Sequence, residues 1–104
     1  MASSSFPGRV AYCSIDGATG ALIEQSGDFA SCTRTGAGAY SLVYQAGAGI
    51  DPAECVFLLT PRAAGAHPFI RSASDTGLLI NTVDPTATDL DCTQDLVIIC
   101  KPAN

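Results

Sequence analysis

The spacing of turn signals constrains this chain more than any other feature. Asp16-Gly17, Gly20, Ser26-Gly27-Asp28, Gly36-Ala37-Gly38, Gly47-Ala48-Gly49, Pro61, Gly65, Pro68, Asp75-Thr76-Gly77 and Asp84-Pro85 follow one another closely. The segments between them are too short for most helices and long enough for strands. They are rich in Val, Ile, Leu, Phe and Tyr, which suit a pleated, half-buried surface. Seven strands are predicted: Arg9 to Ile15, Phe29 to Thr35, Ala39 to Gln45, Glu54 to Thr60, Pro68 to Ser74, Leu78 to Val83 and Leu96 to Lys101. The expected fold is all-β, an antiparallel β-sandwich of about seven short strands. The length of 104 residues fits one domain, 9–104, preceded by a short N-terminal arm, 1–8.

Hydrophobic residues make up 47 % and charged residues 14 % of the chain, a composition that excludes a core-poor disordered polymer. The formal net charge of −5 is opposite to the basic footprint of a phosphate-binding protein and argues against nucleic acid as a partner. Met1 to Pro7 lacks the basic and apolar regions of a secretory signal, and no stretch approaches the ~20 apolar residues of a membrane span. Synthesis and folding in a cytoplasm, with no membrane partner, are therefore expected.

The five cysteines, Cys13, Cys32, Cys55, Cys92 and Cys100, are odd in number and contain no C-x-x-C pair. Neither a disulfide framework nor a zinc knuckle is indicated. Most lie in or beside apolar runs, where a reduced cysteine behaves as a small buried hydrophobe. His67, the only histidine, precedes Pro68 in a Gly- and Ala-rich turn, and one imidazole without spaced partners makes no zinc site. No Ser stands in a nucleophile-elbow context, so no nucleophile, base and orienter can be assembled and no catalytic residue is assigned. Asp84, Asp89, Asp91 and Asp95 form the densest acidic stretch, with oxygen ligands of the type calcium favours. They lack the spacing of an EF-hand loop, and a solvated acidic loop before the last strand explains them more simply. Gly36-Ala37-Gly38 and Gly47-Ala48-Gly49 lack a following Lys-Ser/Thr pair or helix and read as turns, not phosphate cradles. No metal or cofactor is expected.

Thr35-Gly36-Ala37-Gly38 joins the clearest hairpin, with Tyr40, Leu42 and Tyr44 on one face of its second strand. Tyr12, Tyr40 and Tyr44 all lie in strands, where packing is the expected role. Cys55-Val56-Phe57-Leu58-Leu59 and Leu96-Val97-Ile98-Ile99-Cys100 are different, being apolar on both faces. A sandwich strand should show one face to water, so a doubly apolar strand needs a second cover, either another subunit or a folded-over loop or arm. Val56, Phe57, Leu58, Val97, Ile98 and Ile99 are the candidate oligomer-interface residues. Alternation alone does not tell which of them face outward.

Arg9-Val10-Ala11 leads to Ile15-Asp16-Gly17; Ser26-Gly27-Asp28-Phe29 then leads into Cys32-Thr33-Arg34-Thr35-Gly36-Ala37-Gly38-Ala39-Tyr40-Ser41-Leu42. Glu54-Cys55-Val56-Phe57-Leu58-Leu59-Thr60-Pro61 and Asp95-Leu96-Val97-Ile98-Ile99-Cys100 follow. This order resembles the small β-sandwich modules of tailed-bacteriophage virion proteins, of the capsid-decoration and head- or tail-fibre-tip type. The resemblance runs from about Arg9 to Lys101. It implies a non-enzymatic structural protein of the virion, often a homotrimer, with no catalytic residues to carry over. A free-standing module of this size suits a capsid decoration protein bound to the major capsid protein, with Phe6 and Pro7 in the capsid-contacting arm. The alternatives are a receptor-binding tail-fibre tip acting in host attachment, or a carbohydrate-binding module whose partner is a cell-surface glycan.

Overall fold

A computed structural model describes residues 8–101. The arm with Phe6 and Pro7 lies outside the described residues. Eight strands run in the order β1 (Arg9–Ile15), β2 (Leu22–Gln25), β3 (Phe29–Gly36), β4 (Ala39–Tyr44), β5 (Cys55–Pro61), β6 (His67–Ala73), β7 (Gly77–Val83) and β8 (Gln94–Cys100). They form two four-stranded antiparallel sheets packed face to face, β2-β1-β8-β5 and β3-β4-β7-β6. The fold is an all-β sandwich.

Two features depart from the sequence expectation. Leu22–Gln25 adds an eighth strand, short and mostly exposed, that pairs with the end of β1. His67 is not a turn residue but the exposed first residue of β6, paired with Val83. In both places a neighbouring strand supplies the ladder that local composition does not announce.

The core lies where the inner faces meet. Ala11, Cys13 and Ile15 of β1 and Leu96, Ile98 and Cys100 of β8 face Phe29, Tyr40, Leu42, Tyr44, Leu78 and Ile80 of the second sheet. Tyr40, Leu42 and Tyr44 alternate inward as expected, and Tyr44 packs on Phe29 with ring centroids 5.9 Å apart. A polar tie crosses the core where Gln94 Nε2 of β8 donates to Thr82 Oγ1 of β7 at 3.1 Å, both residues fully buried. Isolated buried polar groups are costly, so this pair fixes how the sheets stack.

The β3–β4 hairpin depends on Gly38. Its φ of +64° is left-handed, and a Cβ there would lie 2.5 Å from the Thr82 carbonyl oxygen and 2.8 Å from Leu90 N. The tight approach allows Gly38 N to donate to Asp91 Oδ1 at 2.7 Å, while Thr82 N donates to Gly38 O at 2.8 Å. Gly38→Ala adds strain, a clash and a lost carboxylate bond together. It is expected to destabilise by at least about 2 kcal/mol and to lower the melting temperature by roughly 10 °C, readable by circular dichroism.

Candidate assembly surface

The outward residues of the first sheet fall into register. Val10 pairs with Ile99, which pairs with Val56, and Tyr12 pairs with Val97, which pairs with Leu58. Side chains at paired positions lie on the same face, so these six form two adjacent apolar rows across β1, β8 and β5. Val56 is 58 %, Val10 50 %, Leu58 49 % and Tyr12 48 % exposed. Exposure of this kind at isolated positions is ordinary, but a contiguous apolar block on one face of a small domain is a candidate interaction surface.

Charges close both ends of the block. On one side the next row is Ser14, Asp95 and Thr60. There Arg62 donates from Nε to Asp95 Oδ2 at 3.0 Å, from one terminal nitrogen to Asp95 Oδ1 at 2.8 Å, and to Ser14 Oγ at 3.1 Å. Ser14 Oγ in turn donates to Asp95 Oδ1 at 2.6 Å. On the other side Lys101 Nζ meets Glu54 Oε1 at 3.5 Å. An apolar centre with a polar rim of both signs is the usual anatomy of a protein–protein contact.

Four of the six residues singled out from sequence, Val56, Leu58, Val97 and Ile99, therefore lie together on this face. Phe57 and Ile98 do not. They pair with each other across β5 and β8 on the inner face, where Ile98 is fully buried and Phe57 packs against the core. Their removal from the candidate interface follows from the side-chain period of two, which fixes the inner and outer sets once a single position is known to be buried. Val10 and Tyr12 take their place. Tyr12, expected to be packed, is instead 48 % exposed on the outer face, at the β1 end of its row. The alternation Val10-Ala11-Tyr12-Cys13 puts the two large residues on one face, which by itself reads as the core face; only the pairing of β1 with β8 shows that it is the outer one.

The outer face of the second sheet differs. Val43, Phe69 and Leu79 are exposed there, but Ser31, Thr33, Ser41 and Asn81 stand between them in the paired rows. The apolar residues are dispersed and form no block.

The acidic stretch is dispersed as well. Asp84 is bound within its own loop, accepting from Thr86 N at 2.8 Å, Thr86 Oγ1 at 2.7 Å and Thr88 N at 3.0 Å. Asp91 accepts from Arg34 Nε at 3.0 Å and from Gly38 N, and Asp95 belongs to Arg62 and Ser14. No group of three or more His, Cys, Asp or Glu side chains placed to hold a metal ion occurs among the described residues. Three of the four aspartates of the stretch, Asp84, Asp91 and Asp95, thus act as separate structural anchors, while Asp89 bridges Val83 through its backbone.

These hydrogen bonds hold Asp84, Asp91 and Asp95 below the usual carboxylate range, through Thr86, Arg34 and Arg62 respectively as the largest causes. A carboxyl group depressed in the folded state contributes stability that is complete above its unfolded value of about 3.9 and is lost as pH falls through the folded value. The urea midpoint is therefore expected to be level around pH 6 and to fall between about pH 4 and pH 2. Asp95→Asn should make that fall shallower, measured by tryptophan-independent circular dichroism.

Comparison with known proteins gives no relative from which a role could be transferred: no protein-family model, no curated protein and no solved structure matches the chain.

Proposed function

We propose that this chain is a non-enzymatic structural protein of a phage virion that assembles with copies of itself through the outer face of its first sheet. The observation that carries the assembly is the block of Val10, Tyr12, Val56, Leu58, Val97 and Ile99, closed at both ends by ion pairs. What supports the virion role is the order of turns and apolar strands from Arg9 to Lys101, which is similar to phage decoration and fibre-tip modules. The same similarity favours three copies and attachment to the capsid surface.

A second copy suits this face energetically. Val10, Tyr12, Val56 and Leu58 are each about half exposed, and removing those parts from water contributes roughly 3–6 kcal/mol per face, at 1.5–3 kcal/mol for a fully exposed residue. Two such faces together are comparable with the 4–15 kcal/mol cost of association. Net affinity then depends on the rim, where Arg62 and Lys101 stand beside Asp95 and Glu54 and can re-pair across a contact between copies.

Mass spectrometry of purified particles of the encoding virus tests the role. The chain is expected among the virion proteins, in copy number matching a lattice site for a decoration protein or a few per particle for a fibre tip. Its absence from intact particles would contradict the virion reading while leaving self-assembly untouched.

A further inference from the structure

At one end of the sandwich, Cys55 of β5 stands directly opposite Cys100 of β8. Their sulfurs are 2.7 Å apart. Beyond them, Lys101 N donates to Glu54 O at 2.9 Å. That bond makes Glu54 and Lys101 a hydrogen-bonded pair and Cys55 and Cys100 the adjacent non-hydrogen-bonded pair, where opposed side chains come closest. The Cα separation typical of such a pair, about 4.5 Å, falls within the range a disulfide spans. The other cysteines lack this arrangement: Cys13 is buried in the core, Cys92 is buried in the loop before β8, and Cys32 is half-buried on β3. Sequence spacing gave no hint of the pair, because 45 positions separate the two cysteines and strand register alone brings them together.

We infer that Cys55 and Cys100 form a cross-strand dithiol that closes to a disulfide when the protein meets a low-molecular-weight disulfide oxidant, locking edge strand β5 to central strand β8. Cys55, half-buried on an edge strand, is the thiol that an oxidant reaches first, whereas Cys100 is buried.

The exchange proceeds in two steps. The Cys55 thiolate attacks one sulfur of the oxidant; the oxidant's S–S bond breaks, a mixed disulfide forms on Cys55, and one small thiolate leaves and takes up a proton. The Cys100 thiolate then attacks Cys55 Sγ, the Cys55–Cys100 bond forms and the second small thiol departs. Two protein thiols lose two electrons, and one small disulfide becomes two small thiols. Burial, followed by the contact with Cys100, pushes the Cys55 thiol up to about 12, so the thiolate is scarce at neutral pH. Closure is correspondingly slow near pH 7 and accelerates about tenfold per pH unit in the neutral range. A reducing compartment keeps the pair open; an oxidising medium closes it.

The test is native incubation of the full chain with oxidised glutathione, acid quenching, denaturation, alkylation and peptide mapping. Before oxidation all five cysteines are alkylated. Afterwards three are expected, with a mass loss of about 2 Da and a single cross-linked peptide joining Cys55 to Cys100. In Cys100→Ser the second step is blocked, and glutathione should remain attached to Cys55. Five alkylated cysteines after prolonged oxidation at pH 9, or a bridge between any other pair, would overturn the inference. A Cys100→Ser protein that stays unmodified while the wild type closes would overturn the role of Cys55 as the attacking thiol.

Discussion

Ile98→Ala is expected to lower the unfolding free energy by about 2–5 kcal/mol, and the melting temperature by roughly 10–25 °C for a domain of this size. Ile98 is fully buried in β8, a central strand hydrogen-bonded on both sides, where it pairs with Ala11 of β1 and Phe57 of β5. Ala11 is too small to fill the space that truncation leaves. Phe57 is held on the edge strand by its own contact with the core. The cavity term therefore adds to the lost transfer energy instead of being relieved by repacking. Ile99 provides the comparison, since it has the same side chain one position along and turned to the outer face. Ile99→Ala is expected to change stability by less than about 1 kcal/mol, provided that both variants are measured at one protein concentration, because assembly couples to stability. Thermal unfolding followed by circular dichroism separates the two. Equal losses would mean that the assignment of faces along β8 is wrong.

Val97→Asp is expected to abolish self-association while leaving the fold intact. Val97 sits in the middle of the outer block, between Tyr12 on β1 and Leu58 on β5. A carboxylate there is solvated in the separated chain and costs little. Once the face is covered it is desolvated without a partner, a penalty of several kcal/mol that weakens association by at least about a hundredfold. Val43→Asp places the same charge on the dispersed outer face of the second sheet and is expected to leave association unchanged. Size-exclusion chromatography at matched concentrations, with far-ultraviolet circular dichroism to confirm folding, reads both variants.

The contrast between Ile98 and Ile99 also shows where the sequence stops being informative. Along β4, Tyr40, Leu42 and Tyr44 alternate with Ser41, so the buried face is legible from the residues alone. Along β5 and β8 both faces are apolar, and inside and outside are decided by register with β1, which no local pattern states. Val56, Leu58, Val97 and Ile99 could be named as candidates, but not separated from Phe57 and Ile98. Val10 and Tyr12 were missed because their strand resembles an ordinary core strand until its neighbours are known. Strand β2 escaped notice since Leu22-Ile23-Glu24-Gln25 is four residues long and half polar. The acidic stretch was visible as composition, but its partners were not. Arg34 lies 57 positions from Asp91 and Arg62 lies 33 from Asp95, and only the folded chain joins them. What the turn signals conveyed reliably was the class of fold, because glycines and prolines act locally.

Sedimentation equilibrium of the wild-type chain and Val97→Asp, at concentrations up to about 0.1 mM, bears most directly on assembly through the first sheet. The wild type is expected to sediment as a multiple of the 10.6 kDa chain, three copies by the similarity to phage modules, and Val97→Asp as a folded single chain. A wild type that remains a folded single chain throughout that range, or a Val97→Asp variant that assembles as well as the wild type, would contradict it.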